Sequence, residues 1–132
     1  MRILMAVVLA NVLVSLTDWF FFGLLWHDKY FAFPEVWRRP RGGPGESKAV
    51  ALSAVVGALT PTVFVAVCAL TRLSRPGQAI PLAAAVWLMS AVPALVWNFL
   101  FVKTHPLILL GGLLGWLVRL ELSAGVVVWV LR

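Results

Sequence analysis

Three ionisable side chains stand inside otherwise apolar runs of this sequence: Asp18, Arg119 and Glu121. Such a group is costly within a bilayer, so it faces the interior of a helix bundle and takes a partner. Arg119 and Glu121 are two residues apart, which turns them to nearly opposite sides of a helix, and each therefore needs its partner elsewhere. An Asp and an Arg brought together could neutralise each other, hold an anionic or amphipathic ligand, or carry protons through the bilayer. Asn11, Ser15, Thr60 and Ser90 add amide and hydroxyl groups at comparable depth, completing a candidate polar layer at the midplane. Trp19, Trp87 and Trp116 lie deep enough that their indole N–H groups need acceptors, which makes them candidates for an aromatic pocket.

The elements that must position these groups follow from composition. The chain has 132 residues, 62% of them hydrophobic, with a mean hydropathy of +0.98, eleven Lys or Arg and five Asp or Glu. Soluble domains carry about twice this share of charged residues, so the polar surface is too small to cover a water-soluble globule. A crossing takes about 20 residues, which leaves room for four and for no separate soluble catalytic domain. Apolar runs at 3–26, 49–70, 79–101 and 107–131, with an aromatic and basic loop at 27–48, predict an all-α integral membrane four-helix bundle running up-down-up-down. The first run is long and ends in Trp19-Phe20-Phe21-Phe22 without a small-residue cleavage site, so it reads as a retained span.

The charges outside the spans serve the membrane. A net charge of +6 would suggest nucleic acid in a soluble protein, but here Lys and Arg flank apolar runs, where they meet anionic headgroups; no nucleic-acid partner is expected. Arg2, Arg72, Arg75 and Arg132 fall on the side of the termini, against Lys29, Arg38, Arg39, Arg41, Lys48 and Lys103 on the other. That bias places the long first loop in the cytoplasm, with dual insertion as the alternative. Tyr30, Phe31, Phe33 and Trp37 suit the headgroup boundary, as do Trp26, Trp97 and Trp129. Small residues recur at Ala49, Ser53 and Gly57 and at Gly111 and Gly115, spacings that let helices approach closely in lipid and offer faces for a homo-oligomer. Thr60-Pro61-Thr62 predicts a kink in the second span.

Depth refines the pairing. Counting inward from the side of the long loop at about 1.5 Å per residue puts Arg119, Thr60 and Ser90 near 18 Å and Asp18 near 12 Å. An extended Arg side chain spans that difference, so Arg119 is expected to pair with Asp18. The same count sets Glu121 level with Asn11. Asn11, Ser15, Asp18 and Phe22 share one face of the first helix, which is expected to point inward. Other chemistry is thinly represented. His27, Asp28 and His105 fall on one membrane face without a recognised ligand spacing, Cys68 is alone, and no nucleophile, zinc, phosphate-loop or thiol-pair signature is present. No metal or other cofactor is expected.

Residues 18–26, followed by Phe33 and Trp37, resemble the first helix and following loop of a bacterial membrane family labelled domain of unknown function 1761. The likeness lies in Gly23 two residues before the Leu25-Trp26 pair, in the Trp-bearing loop and in the overall length. The resemblance implies a four-helix integral membrane protein, in keeping with a bacterial inner membrane. It supplies no catalytic residues. The leading expectation is a non-enzymatic membrane protein with a buried polar layer. The alternative is a small transporter or ligand-binding protein using the intramembrane Asp, Arg and Glu. An enzyme acting at His27, Asp28 and His105 is the least favoured.

Overall fold

A computed structural model describes residues 1–36 and 42–132. Trp37, Arg38, Arg39 and Arg41, and the side chain of Tyr30, lie outside the described residues. Four helices are long and apolar enough to cross a membrane: α1 (Arg2–Leu25), α2 (Glu46–Thr71), α3 (Pro76–Phe101) and α4 (Pro106–Leu131). With no strand among the described residues, the chain is an all-α four-helix bundle of membrane-spanning type.

Local chemistry explains where the helices begin. Pro76 and Pro106 open α3 and α4 in the first turn, where the missing N–H has no intrahelical partner to lose. Gly45, at φ 80°, turns the chain into α2, and the Glu46 carboxylate accepts the Gly42 N–H at 2.6 Å. Helix α2 continues through Pro61, which is fully buried. Two helices widen into π turns, at Trp19–Leu25 in α1 and Trp87–Ala91 in α3. The second lies just ahead of Pro93, whose ring crowds the carbonyl four residues back and cannot supply its hydrogen bond. In the first, the Trp26 N–H donates to the carbonyl of Phe21, five residues back, at 3.0 Å.

Helix α4 is the hub. It packs on α1, α3 and α2, and α1 also packs on α2, whereas α3 rests mainly on α4 and hardly touches α2 although the two are consecutive. One continuous core holds the end of the bundle that carries the termini: Ala6 and Ala10 of α1, Val65 and Cys68 of α2, Ala79 and Ala83 of α3, and Ala124 and Val127 of α4 are all fully buried. The opposite end is looser. Every residue of α2 from 47 to 56 is exposed on the isolated chain.

Candidate functional site

The α1–α4 contact sets the geometry of the polar layer. Residues 6, 10, 14, 18 and 22 of α1, with Trp26 just beyond its end, form a single row at intervals of four. A Cβ added to Gly111 would lie 2.7 Å from the Trp26 ring, and one on Gly115 would lie 3.0 Å from Phe22. Four residues further on in each helix, Arg119 Nη2 and Asp18 Oδ2 form an ion pair. Trp26 with Gly111, Phe22 with Gly115 and Asp18 with Arg119 are thus successive rungs of one antiparallel register. The same register sets Val14 opposite Ser123 and Ala10 opposite Val127, all four buried.

The expected Asp18–Arg119 pair is present, and the two residues lie level, without the offset that the depth count gave. That count set Trp26 against Leu107; the structure sets it against Gly111, a shift of four residues, or about 6 Å along the axis. Only a glycine leaves room for an indole at that position. The shift also parts Glu121 from Asn11, since the register brings Glu121 level with Leu16 and Asn11 level with Val126.

Arg119 is enclosed on several sides. Its guanidinium carbon lies 4.7 Å from the centroid of the Trp116 ring, a cation–π contact. Gly57 of α2 borders the charged head, and a Cβ there would be 3.9 Å from Nη2, an ordinary contact distance. Ser123 Oγ donates to the Arg119 carbonyl at 2.8 Å. The side chains of Arg119 and Asp18 keep 12% and 30% exposure, so the pair sits at the edge of the packed core instead of inside it.

A second polar link lies nearer the termini. Asn11 Nδ2 donates to Thr62 Oγ1 at 3.0 Å and to the Val7 carbonyl at 2.9 Å, tying α1 to α2, while buried Asn11 Oδ1 has no hydrogen-bond partner among the described residues. Thr62 enters the site although the sequence marked it only as a neighbour of Pro61; its signal was a hydroxyl inside an apolar run.

Other members of the expected layer stand apart. Ser15 is exposed: it is 100° round from Val14, off the row that meets α4. Ser90 is also exposed and donates to its own helix at the Val86 carbonyl, 2.6 Å away, which lets the hydroxyl face lipid without an unmet donor. Thr60 and Glu121 are half-buried, and neither has a hydrogen bond or ion pair among the described residues. Glu121 follows Leu114 and precedes Gly125 on the exposed stripe of α4.

The tryptophans divide as well. Trp19 is 61% exposed, its ring lying along its own helix over Gly23, where a Cβ would be 3.1 Å away, so it lines no internal pocket. Trp87, in the π turn of α3, donates Nε1–H to the Leu113 carbonyl at 2.8 Å and fastens α3 to the hub. At the loop end, His27 meets the Phe31 ring edge-on and His105 Nδ1 accepts the Leu107 N–H at 3.2 Å. His27, Asp28 and His105 do not gather, and no group of three metal-ligating side chains exists among the described residues. Glu35 and Lys103 form an ion pair there at 3.1 Å. Hydrogen bonds from its own backbone and from Lys103 hold the Glu35 carboxyl below its ordinary range.

Protein-family models, curated proteins and solved structures yield no match to this chain. The functional reading therefore rests on this geometry.

Proposed function

We propose that this chain is a non-enzymatic multi-pass protein of a bacterial inner membrane, in which the Asp18–Arg119 pair is a structural lock between α1 and α4. The supporting observation is that Arg119 has protein partners on two sides: Asp18 neutralises it and the Trp116 ring stacks against its guanidinium. A bundle of apolar helices suits an inner membrane, where each helix satisfies its own backbone. Kinship with the domain of unknown function 1761 belongs to the same proposal and rests on residues 18–26, Phe33 and Trp37.

A second reading, a small transporter or ligand-binding protein, draws support from Asn11 Oδ1 and the Glu121 carboxyl, which have no hydrogen-bond partner among the described residues. Homo-oligomerisation is a proposal of the same standing. Of the small-residue faces, Gly111 and Gly115 are covered within the chain by Trp26 and Phe22, and Gly57 by Arg119, which leaves Ala49 and Ser53 exposed for a second copy.

Asp18→Asn and Arg119→Ala, singly and together, test the lock by thermal unfolding in detergent. Each single change is expected to destabilise the protein by about 3 kcal/mol, the low end for a buried pair because Asp18 is not fully enclosed, and the double variant to recover most of that. Additive losses would remove the lock. A fully stable Asp18→Asn protein that has lost pH-dependent uptake in vesicles would install the transport reading instead.

A further inference from the structure

A cleft of about 290 Å³ opens at the loop end of the bundle, between the last turns of α3, the first turns of α4 and the connection that follows α1. Its walls are apolar, with Phe33 from the connection, Leu95 and Phe99 from α3 and Ile108 from α4. Lys29 and Lys103 line its polar margin, and among the described residues the carboxylate beside them is that of Glu35, paired with Lys103. Lys103 is held in place, with Nζ 3.1 Å from Glu35 Oε1 and 4.6 Å from the centroid of the Phe33 ring. Lys29 has no ion-pair partner among the described residues.

Depth identifies what such a site would meet. The cleft straddles the boundary where two apolar spans end, with Asn98 and Val102 closing α3 and His105 capping α4. Phospholipid headgroups sit at that level and acyl chains begin just beneath it. An apolar slot under a cationic margin complements an acyl chain carrying a negative head, and charge-assisted contacts favour a phosphate over a neutral headgroup. From this complementarity we propose that the cleft is a binding site for one anionic phospholipid of the adjoining leaflet, its chain against Phe33, Leu95, Phe99 and Ile108 and its phosphate at Lys29 and Lys103.

The test is native mass spectrometry of the delipidated full chain, titrated separately with phosphatidylglycerol, phosphatidylcholine and a long-chain fatty acid. One phosphatidylglycerol per chain is expected to persist where phosphatidylcholine dissociates. Lys29→Gln is expected to weaken retention about tenfold, the loss of one charge-assisted contact, and Lys29→Arg to restore it. Val102→Trp, at an exposed position lining the cleft, is expected to fill the slot and reduce retention while the charges stay in place. Lys29 is exposed and outside every ion pair shown, so its variants test binding without testing folding. Equal retention of the two phospholipids, indifference to both Lys29→Gln and Val102→Trp, or retention of the fatty acid in place of phospholipid would each overturn the proposal.

Discussion

The two ends of this bundle are held together differently. At the end of the termini, four helices meet through small side chains: Ala6, Ala10, Ala79, Ala83 and Ala124 are fully buried, with Val65, Val127 and Leu120 filling between them. At the loop end, contact narrows to a few large groups seated over glycines, with Trp26 on Gly111, Phe22 on Gly115 and Leu95 on Gly112, and residues 47–56 of α2 stand clear of the other helices. In lipid, helices gain nothing by hiding apolar surface from an apolar solvent, so association depends on how closely backbones and side chains fit. Alanines on α1, α3 and α4 let these helices approach closely, with Val65 and Cys68 of α2 completing the core. A ring over a glycine joins two helices and leaves the others apart. The Asp18–Arg119–Gly57 layer lies where the first mode gives way to the second.

Substitutions can break or sharpen this contrast. The largest effect is expected at the boundary, where either single change to the ion pair costs about 3 kcal/mol as described above. Next comes overpacking of the closed end: Ala83→Leu is expected to cost about 2 kcal/mol. Its counterpart Ser53→Leu, on the exposed part of α2, is expected to change thermal unfolding of the monomer by less than about 0.5 kcal/mol. Equal losses from the two would erase the distinction between the ends. Gly111→Ala, which puts a methyl group into the Trp26 ring, is expected to cost about 1 kcal/mol, and Trp26→Leu in the same chain to recover part of it. A Gly111→Ala variant as stable as the parent would show that the seat is not tight.

The smallest effect is expected at the tether. Because the Glu35 carboxyl is depressed in the folded state, its stabilising contribution is present above the ordinary carboxylate range and is lost as pH falls through the folded value. Acidification is therefore expected to free the connection after α1 from Lys103 while the helices stay folded. Protease cleavage within that connection, compared at neutral and acidic pH, measures it; cleavage independent of pH in the parent chain, and unchanged by Glu35→Gln, would discount the tether.

Much of this architecture is legible along the chain. The ends of the four long helices lie within three residues of the ends of the apolar runs, because the cost of taking polar backbone and charge into lipid is local and shows as long apolar runs. Asp18 and Arg119 could be paired because a charge in such a run has few alternatives. Glu121, chosen by the same rule, has no counterpart among the described residues. The orientation of Ser15, Ser90 and Trp19 was not legible. In a soluble helix, polarity tells the inside from the outside; here both sides are apolar, and hydroxyls such as those of Ser53 and Ser90 bond to their own helix and so tolerate either.

By itself the sequence determined the four long apolar helices and the identity of the charged pair, both of which depend on transfer energies summed over neighbouring residues. Tertiary structure decided the register that sets Asp18 level with Arg119, joins Asn11 to Thr62 and covers Gly111 and Gly115 from within. Those outcomes depend on which large group fits over which small one across a helix interface. Residues as distant in the chain as Trp26 and Gly111 carry no local mark of that fit.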